Sequence, residues 1–391
     1  MNAPDHGAPS IAVVGAGPAG LAAALLLGRN GRTVTLIGPP GDPADTRTTA
    51  LLEGALETLR GVDVDIAASG KAAPLRTMAI VDATRRLIRA RPLAFKAAEI
   101  GLDAFGWNIP NFELTGLLAD SIARRPNITV IRESVAAAVT GRNGVTLYLA
   151  DGRTLPASLV VAADGRNSRL RQAAGIAVRT KAYPQTALTL NLRTSRPHGD
   201  ISTEFHTEHG PFTLVPLPGQ RVSLVWVMAP EEAGRRSTLD DSSLAREIEA
   251  QCGSLLGAMT VDGLRSQWPM VRQSSTALVA ERMALIGETA HVLPPIGAQG
   301  FNLTMRDIAA LAHTIADSDD PGTPELLDAY SRSRLTDLFS RSSAVDLLNR
   351  SLLSPFIVTQ GIRSLGLYLL EQAGPLRLAM MQQGLAGRRR A

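Results

Sequence analysis

The chain has 391 residues, of which 45% are hydrophobic and 19% are charged, and its formal net charge is +4. This composition excludes a disordered chain and favours a folded protein of two domains, and the absence of a long basic stripe argues against a nucleic-acid partner. Cys252 is the only cysteine, so an intrachain disulfide is excluded.

The first predicted elements form a βαβ unit. An apolar strand, Ile11–Val14, is followed by an Ala/Leu-rich helix, Leu21–Leu27, and by a β-branched strand, Thr33–Ile37. The turn between the first strand and the helix, Gly15–Gly20, is a complete GxGxxG. A GxGxxG in this context predicts dinucleotide binding.

Five residues of this turn have a physical role in binding a dinucleotide. Gly15 permits the tight turn, Gly17 lets the backbone approach a pyrophosphate, and Gly20 lets the helix pack closely on the strand. Pro18 and Ala19 lie between these glycines, and the helix that follows the motif offers free N–H groups to phosphate. We therefore expect these five residues to bind the cofactor.

One part of the dinucleotide pattern is missing. The second strand of such a unit usually ends in an acidic residue that binds the ribose, and here that position is Gly38. Either backbone groups hold the ribose, or Asp42 or Asp45 substitutes.

The next elements continue the alternation of helices and strands. Residues 47–60 are predicted to be helical, residues 76–97 to form two strands, and Asn111–Ala123 to form an amphipathic helix. Three more strands and two hairpin turns are predicted at Ile128–Ile131, Val145–Leu149 and Leu159–Ala163, and at Gly141–Gly144 and Asp151–Gly152.

After residue 180 the pattern changes to repeated strands separated by Pro and Gly. Four strands are predicted at Thr186–Leu192, Thr203–His206, Thr213–Pro216 and Val222–Met228, followed by a helix at Leu239–Gln251 and a strand at Met283–Ile286. From Asn302 onward the sequence is predicted to be helical, with breaks at Pro321, Pro355 and Pro375.

The predicted fold class is therefore α/β. A Rossmann-like dinucleotide-binding domain carries an inserted antiparallel-sheet domain, where a substrate is expected, and a helical C-terminal tail. The first domain is predicted to cover residues 1–75, 98–180 and 275–335, the β-rich domain 76–97 and 181–274, and the helical region 336–391.

Two further motifs follow predicted buried strands. The first, DGxxSxxR, consists of Asp164, Gly165, Ser168 and Arg171. The second begins at Gly287-Glu288-Thr289-Ala290-His291 and runs on through Pro294-Pro295-Ile296-Gly297-Ala298-Gln299-Gly300-Phe301-Asn302 to Asp307.

Together the three motifs resemble those of FAD-dependent aromatic-ring hydroxylases with the p-hydroxybenzoate hydroxylase fold. The run from His291 to Asp307, together with Arg47-Thr48-Thr49-Ala50-Leu51, is most similar to the ubiquinone-biosynthesis hydroxylase branch. The resemblance implies an enzyme that uses FAD and O2 to hydroxylate a phenolic or polyprenylphenol ring through a flavin C4a-hydroperoxide.

The resemblance also implies roles for residues. Asp164 and Gly165 contact the flavin side, with Ser168 and Arg171 completing that motif, and Glu288 replaces the usual Asp that binds the ribityl chain. Arg47 and Asn111 are expected near the FAD. The remaining expected contacts are Gly287, Ala290, Pro294, Gly297, Gly300, Phe301 and Asn302.

The expected chemistry is centred on the flavin, because the cofactor carries the difficult step. No catalytic side chain is therefore singled out, although the loop with Pro294, Pro295 and Gly297 is expected near the flavin. His291 is expected to brace this loop, with tuning of the flavin as the alternative. No group of side chains with metal-ligand spacing is present in the sequence, so no metal is expected.

The sequence does not determine the electron donor or the partners. Only one GxGxxG is present, so NAD(P)H binds transiently or a ferredoxin-type protein supplies the electrons. The expected substrate is a small, lipophilic aromatic compound, and a ubiquinone-synthesis complex is a candidate partner. The apolar stretch Phe356–Met381 is expected to pack in the core or in an oligomer, and Arg388–Arg390 to form a solvated tail. The alternative for both is peripheral membrane contact.

No segment resembles a secretory signal or a transmembrane span, so we expect a cytoplasmic protein or a peripheral one on the inner face of the membrane. Three alternatives to a ubiquinone-biosynthesis enzyme remain: a related hydroxylase of another aromatic substrate, a flavin-dependent halogenase or geranylgeranyl-type reductase, and a non-catalytic flavin-binding accessory subunit. The second and third motifs argue against a halogenase or reductase, whereas Gly38 and Glu288 leave room for the accessory subunit.

Overall fold

The computed structural model describes residues 10–335 except 30, 43–44, 46, 85–90 and 295–298. The strands in chain order are β1 (Ile11–Val14), β2 (Val34–Ile37), β3 (Thr48–Leu52), β4 (Ala73–Pro74), β5 (Thr77–Asp82), β6 (Leu93–Lys96), β7 (Gly106–Pro110), β8 (Ile128–Ile131), β9 (Val135–Gly141), β10 (Gly144–Leu149), β11 (Thr154–Ala157), β12 (Leu159–Ala162), β13 (Val178–Thr194), β14 (Ile201–Thr207), β15 (Gly210–Leu217), β16 (Arg221–Met228), β17 (Met259–Val261), β18 (Ser266–Ser275), β19 (Val279–Ala280), β20 (Met283–Leu285) and β21 (His291–Val292). The α-helices are α1 (Pro18–Leu27), α2 (Glu53–Arg60), α3 (Asn111–Ala123), α4 (Arg169–Ala173), α5 (Pro230–Ser237), α6 (Asp241–Gln251) and α7 (Gln299–Thr314), and a further helical segment covers 324–335.

The first sheet is the parallel sheet that the βαβ pattern predicts. Its order is β19-β20-β12-β1-β2-β8, and every neighbouring pair is parallel except β19 with β20. Its central strands are buried along their whole length, as expected for a sheet covered on both faces. Since these strands are parallel, their carboxyl ends lie along one edge.

The largest sheet has the order β21-β18-β13-β16-β15-β14-β5-β6, with β17 paired to β13. The predicted antiparallel insertion is confirmed, and the structure adds one parallel pair, β5 with β14. One face packs against α6, where Leu244 and Ile248 join the cluster around Phe212. The opposite face carries the buried side chains Ala187, Val227 and Met270, and we call it the inner face.

A small sheet, β3-β7-β4, corrects one prediction. Residues 47–60 were expected to be helical, but Thr48–Leu52 is a strand and the helix begins only at Glu53. β-Branched threonines favour a strand, and Gly106 lets β7 approach closely, since a Cβ there would lie 2.2 Å from the Leu51 carbonyl oxygen. Thr48 Oγ1 donates to Ser223 Oγ at 3.0 Å, which joins this sheet to the largest sheet.

Most other predicted elements are confirmed to within a few residues, including the helix Asn111–Ala123 with its predicted bounds. The sequence did not reveal α5 or β18. The predicted C-terminal helical region, 336–391, lies outside the described residues. Within the part of the chain that the structure describes, no helix is both long and apolar enough to cross a membrane.

Candidate functional site

The three sequence motifs converge at the carboxyl edge of the parallel sheet. Gly15 follows β1, Asp164 follows β12 and Gly287 follows β20, and these three strands are neighbours in the order β20-β12-β1. Ligands of open α/β sheets bind outside the carboxyl ends of the strands. The topology therefore places the predicted cofactor motifs together where a ligand is expected.

The glycine turn is built as its sequence predicts. Gly15 has φ +117°, and a Cβ there would lie 2.2 Å from the Ala163 carbonyl oxygen. A Cβ on Gly20 would lie 1.7 Å from the Gly15 carbonyl oxygen, so α1 packs directly on the turn. A Cβ on Gly17 would meet nothing within 4 Å, so open space lies beside the N-terminus of α1.

Gly38, the departure from the dinucleotide pattern, has a steric cause. A Cβ at this position would lie 2.7 Å from the backbone nitrogen of Ala16. The end of β2 therefore abuts the glycine turn so closely that any side chain would displace one of them. The glycine is required by packing, and an acidic side chain would not fit in this arrangement.

The DGxxSxxR motif forms a brace. Asp164 accepts hydrogen bonds from the backbone N–H of Arg169 at 2.9 Å and of Leu170 at 3.3 Å, and Ser168 Oγ accepts from the Arg171 N–H at 2.9 Å. The buried Arg171 guanidinium donates to the carbonyl oxygens of Thr289 and Arg166, each at 2.8 Å. Arg171 thus joins the second motif to the third, whereas Ser168 caps the helix α4 that carries Arg171.

The third motif begins with a tight 3₁₀ turn, Gly287–Thr289. Gly287 has φ +58°, and its N–H donates to Asp307 Oδ2 at 3.0 Å. Thr289 Oγ1 accepts from the Gly165 N–H at 3.1 Å, and Ala290 is buried. The Glu288 side chain is instead 54% exposed, and its Oε2 lies 3.8 Å from Arg166 Nε, so its carboxylate remains accessible to a ligand.

A buried charged cluster supports this turn from behind. His291 Nε2 lies 2.7 Å from Asp307 Oδ2, and Arg334 Nε donates to Asp307 Oδ1 at 2.8 Å. Burial opposes ionisation of Asp307, but the His291 and Arg334 partners hold the pKa of its carboxyl below the ordinary value. His291 therefore contacts the protein's own core, as expected for a brace.

The start of α7 is anchored to β3. Asn302 Nδ2 donates to the Ala50 carbonyl oxygen at 2.8 Å, and its Oδ1 accepts from the Leu52 N–H at 2.9 Å. The Asn302 amide is thus used in packing. Gly300 and Phe301 lie in the first turn of α7, where backbone N–H groups lack helical acceptors. Pro294 is buried, whereas Pro295 and Gly297 lie outside the described residues.

A cleft of about 350 Å³ lies beside the N-terminus of α1. Arg47 and Asn111, the two polar contacts expected near FAD, both line it. Asp45 joins them: Arg47 donates to its carboxylate at 2.7 and 2.8 Å, and Asn111 Nδ2 donates to it at 3.1 Å. The remaining lining residues are Gly17, Pro18, Gly41, Asp42, Phe112, Thr115, Leu264, Ser266 and Trp268.

Charge in the cleft is concentrated around the Trp268 ring. The guanidinium carbons of Arg47 and Arg166 lie 4.9 and 5.7 Å from its centroid. Burial raises the pKa of Asp45, but hydrogen bonds from Arg47 outweigh it and leave this pKa below its ordinary value. The Asp45 carboxylate in turn raises the pKa of Arg47. The cleft therefore holds an Arg47–Asp45 ion pair beside the N-terminus of α1, whose free N–H groups suit an anionic diphosphate.

Sequence reasoning did not assign roles in the site to Thr289, Trp268 or Arg166. Thr289 could have been found, because it lies inside a motif and its hydroxyl can bond a neighbouring turn. Trp268 lies on β18, more than two hundred residues from Arg47 along the chain, and only the folded sheet brings the two together.

Comparison with known proteins agrees with this geometry. A family model described as an FAD binding domain matches residues 9–337. The chain is 30% identical to the ubiquinone hydroxylase UbiL of Rhodospirillum rubrum, covering 96% of this chain and 89% of that protein. It is 28% identical to the 3-demethoxyubiquinol 3-hydroxylase of Escherichia coli, covering 96% and 98%.

Solved structures show the same fold. The p-nitrophenol 4-monooxygenase PnpA of Pseudomonas putida superposes with a TM-score of 0.80 at 18% identity, covering 98% of this chain and 100% of that one. HpxO of Klebsiella pneumoniae, solved with FAD and uric acid, superposes with a TM-score of 0.74 at 18% identity, covering 96% of each chain.

The chain therefore belongs to the FAD-binding-domain family. Within this family it is an FAD-dependent monooxygenase, and the resemblance drawn from the three motifs is confirmed.

Proposed function

We propose that this monooxygenase hydroxylates the aromatic ring of a lipophilic quinone precursor in ubiquinone biosynthesis. The observation that supports the cofactor site is the convergence of three separate motifs at one sheet edge beside a cleft that Arg47 and Asn111 line. The functions of UbiL and of the Escherichia coli hydroxylase support the substrate class.

The residues of the cleft fit FAD. Open space beside Gly17 leaves room for a diphosphate at the N-terminus of α1, and Arg47 and Asn111 offer donors to it. We assign the exposed Glu288 carboxylate to the ribityl hydroxyls. Asp164, Gly165, Ser168 and Arg171, together with Gly287 and Ala290, shape and brace the turns around these contacts.

Bound FAD would supply the activation of O2 and the transfer of one oxygen atom. The protein's task is then to bind, orient and exclude water. The backbone N–H groups of Gly300 and Phe301, at the start of α7, would stabilise negative charge at the flavin edge. Trp268 lines the cleft and packs against the buried apolar residues of the inner face, so an aromatic ring beside Trp268 would be shielded from solvent on that side.

A first experiment tests flavin content and oxygen use in the purified full chain. We expect a flavin spectrum, release of FAD on denaturation, and oxygen uptake that rises when a polyprenylphenol is added with NAD(P)H or with a reduced ferredoxin. A chain that holds FAD but consumes no oxygen with either donor would instead favour the accessory subunit.

Membrane contact and membership of a ubiquinone-synthesis complex are further proposals, supported only by the lipophilic substrate class and by the apolar and basic C-terminal stretches. Those stretches lie outside the described residues. The full chain should bind anionic liposomes at low salt and detach as salt rises. Failure to bind at low salt would reject membrane contact and leave the hydroxylase proposal standing.

A further inference from the structure

Asp45 is at the centre of the polar groups in the cleft. Its Oδ1 accepts from the backbone N–H of Arg47 at 3.1 Å and from Arg47 Nε at 2.7 Å. Its Oδ2 accepts from Arg47 Nη2 at 2.8 Å and from Asn111 Nδ2 at 3.1 Å. One carboxylate therefore contacts both polar side chains that we expect near FAD.

These contacts exclude one role for Asp45. A carboxylate has about four lone-pair sites on its two oxygens. Asp45 accepts four hydrogen bonds from the protein, so its acceptor capacity is used in this arrangement. It cannot also serve as the ribose acceptor that is missing at Gly38 without releasing Arg47 or Asn111.

The same contacts define how Arg47 is presented. A guanidinium has five N–H donors in a planar fork, and the Asp45 pair uses one edge of that plane. Trp268 lies 4.9 Å from the guanidinium carbon, so the plane is supported by an aromatic ring as well. An arginine held on two sides loses less side-chain entropy when it binds an anion.

We propose that Asp45 is a positioning residue that orients Arg47 and Asn111 for the diphosphate of FAD. This inference rests on the proposed placement of FAD in the cleft and extends it to a residue that does not contact the cofactor. The rival expectation has the opposite sign: as a negative charge in an anion site, Asp45 would simply weaken FAD binding. The direction of the effect therefore decides between the two.

The test is titration of FAD into the full chain after flavin removal, with flavin fluorescence as the readout. ADP, which carries a diphosphate but no flavin ring, is a second probe, and its binding is measured by competition with FAD. The variants are Asp45→Asn, Asp45→Ala, Arg47→Ala and the double variant Asp45→Ala/Arg47→Ala. Asp151→Ala is the matched control, because Asp151 bonds the Arg153 N–H and Nε at 3.1 and 2.7 Å in the same two-residue spacing, outside the cleft.

We expect Asp45→Asn and Asp45→Ala to raise the Kd for FAD about tenfold and to weaken ADP binding in parallel. Arg47→Ala should raise the Kd at least as much. Adding Asp45→Ala to it should weaken binding by much less than about tenfold, because only the orientation of Asn111 is then left to lose. Asp151→Ala should leave the Kd unchanged. If Asp45→Ala does not fold, as judged by thermal melting, Asp45→Asn carries the comparison.

Tighter FAD binding by either Asp45 variant would overturn the proposal, as would independent, multiplying effects of Asp45→Ala and Arg47→Ala. These outcomes are separable from those of the proposed function. A chain that shows the expected Kd pattern but hydroxylates no phenol would contradict the hydroxylase proposal alone.

Discussion

Asp307 shows how a single buried residue supports the site from a distance. Its side chain is 2% exposed and contacts His291, Arg334 and the N–H of Gly287 at once. Burying a carboxylate is costly unless it is paired and hydrogen-bonded. Here the pairing also fixes the turn that carries Glu288, because Gly287 immediately precedes it.

Asp307→Asn should therefore destabilise the fold. The substitution leaves the charge of Arg334 buried without its counter-ion, and removing one partner of a buried pair costs about 3–5 kcal/mol. The free energy of unfolding, measured by urea denaturation, should fall by this amount. Asp63→Asn is the matched control, because the Asp63 side chain is 83% exposed in its pair with Arg125, and it should cost less than about 1 kcal/mol.

The free energy of unfolding should also depend on pH through the Asp307 carboxylate. Because the folded-state pKa of Asp307 lies below its ordinary value of 3.8, the ionised carboxylate stabilises the fold above that pH. This contribution is lost as the pH falls through the folded-state pKa. Asp307→Asn lacks this contribution, so its free energy of unfolding should fall less steeply below about pH 4 than that of the wild type. If the free energy of unfolding fell equally steeply with pH in both proteins, a lowered pKa of Asp307 would be contradicted.

At the scale of elements, the packing of α1 on β1 separates two functions of the glycine turn. A Cβ on Gly20 would collide with the Gly15 carbonyl oxygen, whereas a Cβ on Gly17 would meet no protein atom within 4 Å. Gly20 is thus required for the packing of α1, whereas Gly17 leaves space for a ligand at the N-terminus of α1.

Gly20→Ala should lower the free energy of unfolding by about 1–3 kcal/mol even without cofactor, because the helix must shift from the strand. Gly17→Ala should leave the cofactor-free protein close to wild type, since Gly17 has φ −77° and ψ 179°, which any residue adopts. It should nevertheless raise the Kd for FAD about tenfold, because the new methyl group occupies the space of the diphosphate. The described turn would be contradicted if Gly17→Ala destabilised the cofactor-free protein and Gly20→Ala affected only FAD binding.

The sequence predicted helices and strands well where one local pattern determined them. The βαβ unit and the helix Asn111–Ala123 have strong periodicity and clear glycine or proline signals. Thr48–Leu52 was predicted wrongly, because its pairing with β7 depends on Gly106, far along the chain. Likewise, the packing roles of Arg171 and Asn302 depend on carbonyl groups of other segments, so their motifs indicated importance without indicating function.

At the scale of the whole molecule, the cleft joins residues from the glycine turn, from α3 and from β18 of the largest sheet. Such a site exists only when the parallel sheet and the largest sheet are both folded. The small sheet β3-β7-β4 is joined to the largest sheet by Thr48–Ser223 and by Asn108 Nδ2, which donates to the Pro216 carbonyl oxygen at 2.9 Å. The residue bounds of the two domains stay a prediction, as do the individual cofactor contacts.

The measurement that tests the central claim most directly is the fate of isotopic oxygen. The full chain with bound FAD, a reductant and a polyprenylphenol is incubated under ¹⁸O₂, and the product is analysed by mass spectrometry. Our account predicts a hydroxylated ring with one ¹⁸O atom from O2 and none from water. Oxygen consumed without any labelled product, or a hydroxyl group derived from water, would contradict it.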